Sequence, residues 1–462
     1  MSRKSKLPAP TPPASTARPR RPADWVLPLL VALYCVLTLL LIMRVPVGAA
    51  PDELAHLEYV KHLATQSTLP VFKTVGGSDP GYEFHQPPLY YAVCAPLWQA
   101  AGERGGPHFC RLVSLLCGAL TLVLLWRAVA ALFPNKSNLP PLATGFAALW
   151  PLHQGVGASA GNDALAGLIC AAIFAVIARA SNRAWQTRDA ILLGILTGLG
   201  LLTKTTCLAI GLVAMGAAWS LARQGESDAT RETGSTRRAI LQPCLALAVA
   251  LLFGGWWLAR NQMRYGDPFA LGAFNAAFGK TSPGPAMFLA AGVSLLDYLR
   301  ITASILFCTA WGFFGGPNTA IRYLNPFGTQ GPPPALLPVV RVMLVPMLIC
   351  AAASGIALWG VSRWVRTWRD CMAGTRAALA WWFIGLLLVA LAWAQFNTRY
   401  FQAQARYFHP ALLPLALAFA LGWRQALGDF WKGRALWIFS ILFGCTLAAL
   451  TLANAFGWRT LA

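Results

Sequence analysis

Residues 26–43 read VLPLLVALYCVLTLLLIM, and the segment just beyond them reads PDELAH over residues 51–56. The first segment contains no charged residue and is long enough to cross the hydrocarbon core of a bilayer. The second places the side chains of Asp52, Glu53 and His56 at the expected boundary of membrane and water. Ionisable groups near a membrane are costly unless they have partners or a function. Together the two segments predict a membrane protein with chemistry just outside its first span.

The composition of the chain agrees with this prediction. Of its 462 residues, 57% are hydrophobic and only 11% are charged, which is typical of a polytopic membrane protein. A net charge of +21 would suggest nucleic-acid binding in a soluble protein, but here the basic residues lie mainly in short loops, where they set orientation. The eleven cysteines form no CxxC pair or Cys/His cluster, so they indicate neither a metal site nor a disulfide framework. We therefore expect membrane lipids as surroundings and no nucleic-acid partner.

The hydrophobic pattern predicts an all-α, polytopic transmembrane bundle of about 11–13 spans with outer-side juxtamembrane helices. Two ambiguous apolar stretches, 88–101 and 293–313, are assigned to the outer side, because one full crossing by either would invert the basic loops that follow. The predicted spans are 26–43, 109–127, 140–157, 163–180, 189–203, 206–221, 240–259, 336–361, 377–395, 408–424 and 435–455.

Residues 1–24 are predicted to form a disordered basic cytoplasmic tail, and residues 25–462 a single transmembrane domain. The first outer loop is placed at about 44–108. An alternative is a cleaved signal peptide, because Val47-Gly48-Ala49 imitates a cleavage site. The basic loops after residues 221, 361 and 424 are expected on the cytoplasmic side of a bacterial inner membrane. The unusual polar residues then gather on the periplasmic face.

These outer-face residues supply the candidate site. Asp52 and His56 are four apart and share a helix face, which suits a general base with its partner. Arginines on the outer face run against the charge bias of membrane proteins, and guanidinium groups bind phosphate. The predicted catalytic residues are Asp52, Glu53 and His56, and the predicted substrate-binding residues are His85, Asn162, Asp163, Lys204, Arg260, Arg264, Tyr265, Arg399, Arg406 and Tyr407.

Each of these motifs also has a purely structural explanation. Asp52 and Glu53 could be helix-start acids beside an exposed histidine. The His85 motif could be a helix start followed by an aromatic belt, and Lys204 could reach the interface along its own side chain. Arg264 could pair with Asp267 in a loop.

Taken in order, these motifs resemble those of the GT-C superfamily of membrane glycosyltransferases, which includes protein O-mannosyltransferases and the lipid A aminoarabinose transferase. The resemblance covers about residues 25–425. The segments that carry it are Pro51-Asp52-Glu53, the run from His85 to Tyr91 (HQPPLYY), Asn162-Asp163, Leu202-Thr203-Lys204, Arg260-Asn261 with the run from Tyr265 to Pro268 (YGDP), and Arg406-Tyr407-Phe408 with Pro410. It implies a polyprenyl-phosphate sugar donor and an acidic residue near the reaction centre, which is Asp52 by motif position. The large soluble domain found in some relatives has no counterpart after the last predicted span.

The resemblance, together with the outer-face residues, thus implies transfer of a sugar from a polyprenyl-phosphate donor to a glycan, lipid or protein acceptor at the extracytoplasmic face, with inversion. No cofactor is certain, although Asp52 and Glu53 could instead bind Mg²⁺ or Mn²⁺. A transporter or flippase for a lipid-linked glycan is the alternative, and it would show internal repeats or broken helices near mid-membrane. A structural membrane subunit would have no reason for clustered acids and bases.

Overall fold

The computed structural model describes residues 25–73, 79–224, 234–279, 284–312 and 337–457. Within these ranges the chain is built from α-helices and short 3₁₀ turns, with no strand. The predicted all-α polytopic bundle is confirmed. The predicted tail at residues 1–24 lies outside the described residues.

The first half of the chain supplies eight helices. Helix α2 and the first part of α3 belong to the predicted first outer loop. The helices are α1 (Val26–Arg44), α2 (Glu53–Gln66), α3 (Leu89–Leu132), α4 (Leu139–Leu149), α5 (Pro151–Gly157), α6 (Asp163–Ala180), α7 (Thr187–Leu201) and α8 (Cys207–Gln224).

The second half continues with longer helices separated by short ones. Those helices are α9 (Gly234–Tyr265), α10 (Leu271–Phe278), α11 (Pro285–Ala290), α12 (Leu295–Ala310), α13 (Leu337–Arg366), α14 (Ala373–Asn397), α15 (Leu412–Leu427) and α16 (Arg434–Gly457). A 3₁₀ segment, Ala405–Ala411, joins α14 to α15 and carries Arg406.

Eight helical segments of the described chain are long and apolar enough to cross a membrane. They comprise α1, α3, α6, Ala239–Tyr265 of α9, Leu344–Arg366 of α13, α14, Ala405–Leu427 and Arg434–Phe456 of α16. Many of the side chains that these helices expose are large and apolar, such as Leu252 and Leu358. Lipid is the solvent that such a surface requires.

Two predicted segments differ in detail from the structure. The predicted span 140–157 is two helices, because the backbone of Trp150 is extended and Pro151 starts α5 without an N–H to continue α4. The predicted outer helix 88–101 is the start of α3, which kinks at Gly102 with a φ of 67°. The part before the kink spans about 20 Å at 1.5 Å per residue, which is too short to cross a bilayer.

Contacts between loops show which helix ends lie together. At one end, Asn182 donates to the carbonyl of Ala131 at 2.7 Å, and Thr375 donates to the carbonyl of Leu132 at 3.3 Å. At the other end, Leu89 donates its N–H to the carbonyl of Leu202 at 2.8 Å. Helices α13 and α15 cross closely where a Cβ on Gly360 would lie 1.8 Å from the Gly422 carbonyl oxygen. The candidate polar residues belong to the end that contains Leu89.

Candidate active site

Asp52 is held in an unusual conformation at the start of α2. Its backbone is left-handed, with a φ of 63°, and its carboxylate makes no capping bond to the helix. One carboxylate oxygen accepts a hydrogen bond from a terminal nitrogen of Arg406, and the other accepts one from the Tyr82 hydroxyl at 2.9 Å. A left-handed aspartate costs free energy that the surrounding contacts must offset. The side chain of Asp52 is therefore directed toward Arg406 instead of the helix end.

A second acid and a second base extend this contact. Lys204 Nζ donates to Asp163 Oδ1 at 2.5 Å, and the Arg406 guanidinium lies 3.8 Å from Asp163 Oδ2. The charges alternate along the chain of contacts Asp52, Arg406, Asp163, Lys204, which we call the ion chain. Three of its side chains are only 11–14% exposed, and Asp52 is 32% exposed. Pairing at these sites is needed because an unpaired charge at such depth would be strongly destabilising.

The turns around the ion chain are tied together by Asn162. Its side-chain amide donates to the Thr203 carbonyl at 3.0 Å and to Gln86 Oε1 at 3.2 Å. These bonds join the turn before α6 to the turn after α7 and to the loop that leads into α3. Asp163 and Lys204 come directly after Asn162 and Thr203, so the same bonds set the distance between acid and base.

The position of Arg406 depends on His409, three residues later in the 3₁₀ segment. The His409 ring lies against α6 at Gly167, where a Cβ would be 2.3 Å from the ring. On its other side, His409 Nε2 is hydrogen-bonded to His153 Nδ1 of α5 at 3.0 Å. Only a glycine in α6 leaves room for this ring, and Gly167 is four residues after Asp163. The same helix face therefore seats the 3₁₀ segment and pairs with Arg406.

The pKa values of two carboxyl groups at the site, Asp52 and Glu83, are shifted in opposite directions. Burial opposes the ionisation of Asp52, but the adjacent Arg406 guanidinium holds the pKa of that carboxyl well below its usual range. Burial raises the pKa of Glu83, whose Oε2 has no hydrogen-bond partner among the described residues. The sequence interpretation missed Glu83 and Tyr82, although an acid two residues before His85 could have pointed to them. Two carboxyl groups shifted in opposite directions are characteristic of acid–base sites.

His56 faces the site from α2. Its Nδ1 is hydrogen-bonded to the Tyr91 hydroxyl at 2.9 Å, and the Tyr91 ring stacks on Tyr59 with centroids 3.9 Å apart. Burial lowers the pKa of His56, which favours the neutral imidazole. His56 therefore lies in the site as a firmly positioned neutral group.

Glu53 points away from Asp52 into a buried ion pair. Arg111 of α3 donates to both carboxylate oxygens at 2.7 Å, and the backbone N–H groups of Gly48 and Ala160 donate at 2.8 and 2.9 Å. Glu53 is 1% exposed and Arg111 is fully buried. The pair joins the loop after α1 to α3 and to the turn before α6. Arg111 was not predicted, although an arginine near the start of the predicted span 109–127 is a recognisable signal.

This arrangement does not fit a divalent ion held by Asp52 and Glu53. Both oxygens of Glu53 already accept from an arginine and from backbone donors, and Asp52 accepts from Arg406 and Tyr82. Among the described residues, no group of three or more His, Cys, Asp or Glu side chains has metal-binding geometry. The positive charge at this site comes from Arg406 and Lys204.

Several other predicted ligands lie away from the ion chain. Arg260 donates to the carbonyl of Pro70 at 2.6 Å and stacks on Trp257. The Tyr265 hydroxyl accepts from the N–H of Phe72 at 3.0 Å. Arg264 and Arg399 are exposed, and Asp267 bonds to backbone N–H groups of Phe269 and Gly272 instead of to Arg264.

His85 and Tyr407 border the site. His85 Nδ1 is bonded to the carbonyl of Tyr82 at 2.9 Å, and its ring packs on Phe72 and Phe274. The Tyr407 ring lies 5.9 Å from Lys204 Nζ and 5.4 Å from the Arg406 guanidinium, within reach of cation–π attraction. Of the predicted residues, the structure thus brings Asp52, His56, Asn162, Asp163, Lys204, Arg406 and Tyr407 together, with His85 at the edge.

A cavity of about 410 Å³ opens beside the ion chain. Its ionisable lining side chains are those of His56, Arg111, Asp163 and Arg406. Its remaining walls are largely apolar and include Leu41, Val45, Leu152, Val156, Ile305 and Phe401. A ligand with a charged group and an apolar body would match both parts.

Neither a protein-family model nor a curated protein matches this sequence. Among solved structures, the chain is similar to the Archaeoglobus fulgidus oligosaccharyltransferase in complex with Zn and sulfate, with a TM-score of 0.52 and 13% identity over 92% of this chain and 53% of that one. The same enzyme tethered with an acceptor peptide containing the NVT sequon gives 0.54 and 12% over 94% and 55%. ArnT from Cupriavidus metallidurans bound to undecaprenyl phosphate gives 0.38 and 18% over 89% and 79%.

The chain spans about half the length of the archaeal enzyme. At these identities the likeness to that enzyme establishes a common fold. The resemblance predicted from the motifs is thereby confirmed at the level of the fold.

Proposed function

Because the chain has the GT-C fold, we propose that it is an integral membrane glycosyltransferase that moves a sugar from a polyprenyl-phosphate donor to an acceptor. The observation that carries this proposal is the ion chain, two members of which, Asp163 and Arg406, line a largely apolar cavity. An isoprenoid chain suits the apolar walls, and its phosphate suits Arg406 and Lys204. The similar archaeal enzyme is an oligosaccharyltransferase, which supports glycosyl transfer as the reaction class.

The proposed reaction is a single displacement. The acceptor oxygen forms a bond to the anomeric carbon while the bond from that carbon to the phosphate oxygen breaks. The phosphate leaves with the bonding electron pair, and Asp52 takes the acceptor proton as general base. Attack opposite to the leaving group inverts the anomeric centre.

The leaving phosphate needs no strong acid to protonate it. The main task of the protein is therefore to stabilise the negative charge that develops on this phosphate. Arg406 and Lys204 supply two positive charges in a partly buried site, where such charges interact more strongly than in water. Asp163 holds both cations in place between turns. His56 is suited to orienting the acceptor, and Glu53 to holding the loop that carries Asp52.

We also propose that this site faces the extracytoplasmic side. The opposite end of the bundle carries many basic side chains, which mark the cytoplasmic face in inner-membrane proteins. They include Lys136, Arg179, Arg183, Arg188, Arg363, Arg366, Arg369, Arg376, Arg424 and Arg434.

A transporter of lipid-linked glycans remains the competing proposal, and one observation bears on it. The break between α4 and α5 at Pro151 is a feature that transporters also use near their binding sites. A transporter would bind and release its substrate unchanged, so a chemical assay separates the two functions.

The test is release of polyprenyl phosphate from a labelled polyprenyl-phosphate sugar by the purified protein and by the variant Asp52→Asn. We expect the variant to bind the donor and to lose transfer by at least about 100-fold, the lower range for a general base. Asp297→Asn, which removes a half-buried acid that pairs with Arg300 away from the ion chain, is the matched control and should transfer normally. Transfer by Asp52→Asn at the wild-type rate would end the assignment of the base.

A further inference from the structure

The Arg406 guanidinium lies between two acidic side chains, those of Asp52 and Asp163. One terminal nitrogen donates to Asp52, and the other lies 3.3 Å from the Pro51 carbonyl and 3.8 Å from Asp163. Its Nε is buried and has no hydrogen-bond partner among the described residues. The same side chain lines the cavity. Arg406 therefore has unused capacity for an anion, but its strongest contact is with the proposed base.

A carboxylate bound in this way is a weak base. Both oxygens of Asp52 accept hydrogen bonds, from Arg406 and from Tyr82. The Arg406 guanidinium outweighs the opposing effect of burial and holds the pKa of Asp52 well below its usual range, which agrees with this view. General-base catalysis is most effective when the pKa of the base lies near the working pH. The contact with Arg406 thus keeps the proposed base inactive.

We propose that the phosphate of the donor displaces Asp52 from Arg406, so that the base is released only when the donor is in place. This inference rests on the proposed function and adds the control of that site. The phosphate replaces one carboxylate–guanidinium contact with another charge-assisted contact and also engages the free Nε. Tyr82 retains its bond to Asp52, so the released carboxylate stays at the site.

Two consequences follow from this competition. The donor must bind before the acceptor is deprotonated. An acceptor that binds alone meets an Asp52 carboxylate that is still paired with Arg406. Asp52 and the phosphate compete for one guanidinium, so whatever weakens the hold of Asp52 on Arg406 must strengthen phosphate binding. Removing the charge of Asp52 should therefore improve the affinity for polyprenyl phosphate.

The experiment measures the binding of undecaprenyl phosphate to the full-length protein in detergent. We expect Asp52→Asn and Asp52→Ala to bind it about 5- to 150-fold more tightly than the wild type, the usual range of coupling between sites. Asp297→Asn should bind it with wild-type affinity. In an Arg406→Gln background, the gain from Asp52→Asn should vanish, because the competition needs the guanidinium. A general structural role of Asp52 would not produce that pattern.

The outcomes separate this inference from the proposed function. If the wild type binds undecaprenyl phosphate and both Asp52 variants bind it equally or less tightly, displacement is wrong. Loss of transfer in Asp52→Asn would then still support the assignment of the base. If undecaprenyl phosphate does not bind to the wild type or to any variant, both the inference and the proposed donor fail. Size-exclusion profiles and thermal unfolding in detergent establish that each variant is folded.

Discussion

The substitution Glu53→Gln distinguishes a structural from a catalytic role for the second acid of the motif. Glu53 and Arg111 form two parallel hydrogen bonds at 2.7 Å in a site almost without solvent exposure. Two backbone N–H groups, of Gly48 and Ala160, complete the coordination of the carboxylate. Arg111 also donates to carbonyls of the loop after α1, including Val45 at 2.8 Å. The substitution would leave this arginine without a counter-ion.

Breaking a buried ion pair from one side costs about 3–5 kcal/mol, because the remaining charge stays desolvated. We expect Glu53→Gln and Arg111→Met each to destabilise the protein by this amount. The double variant should lose less than the sum of the two, because it leaves no unpaired charge. Glu103→Gln is the matched control. Its exposed pair with Lys61, with a distance of 2.8 Å and side chains 39% and 69% exposed, contributes about 0–1 kcal/mol.

Thermal unfolding in detergent, followed by the fraction of protein that remains monodisperse, is the assay. Transfer activity is measured below the unfolding temperature of each variant. We expect Glu53→Gln to unfold at a clearly lower temperature than Glu103→Gln. If Glu53→Gln is as stable as the wild type but has lost transfer, the structural role is refuted and Glu53 belongs to the catalytic group.

Lys204→Met should weaken undecaprenyl phosphate binding roughly 10- to 100-fold, the effect of losing a hydrogen bond to a charged group; unchanged binding in a titration would remove Lys204 from the phosphate site. Burial lowers the pKa of His85 to about 4. The unfolded state then binds more protons between about pH 4 and 6.5, so stability should fall as the pH is lowered through this range, by up to about 1.4 kcal/mol per unit. The melting temperature of His85→Gln should depend less on pH, and an unaltered slope would contradict this. An impermeant thiol reagent applied to cells should label a cysteine at Glu103 but not at Asn135, and the reverse would invert the orientation.

The helices could be predicted from sequence because apolar length is a local property. Val26–Arg44 and Asp163–Ala180 match their predicted spans to within a residue. The break at Trp150 and Pro151 was missed, because the apolar run continues through it and hydropathy does not register a missing N–H. The start of α3 was also difficult to interpret, since its kink depends on the positive φ of Gly102.

The candidate site was predictable to the extent that its residues immediately follow or precede spans at one end of the bundle. This rule indicated Asp52, Asp163, Lys204 and Arg406. It also indicated Arg260, whose side chain instead bonds to the carbonyl of Pro70. The direction of a long side chain depends on which neighbours the tertiary fold supplies, so one sequence cannot separate these arginines.

The different partners of Asp52 and Glu53 also depend on the tertiary fold. Adjacent residues at the start of a helix point in different directions, one toward Arg406 and the other toward Arg111. Neither partner is near in sequence, since Arg111 lies 58 residues after Glu53 and Arg406 lies 354 after Asp52. The motif predicts a site, but only the structure shows that Asp52 pairs with Arg406 and Glu53 with Arg111.

A structure of the full-length protein with undecaprenyl phosphate in a lipid nanodisc would test the central claim most directly. We predict that the phosphate lies within hydrogen-bonding distance of Arg406 and Lys204, with the isoprenoid chain along the apolar cavity and Asp52 separated from Arg406. A phosphate bound at the opposite end of the bundle, with the contact between Asp52 and Arg406 intact, would contradict the account.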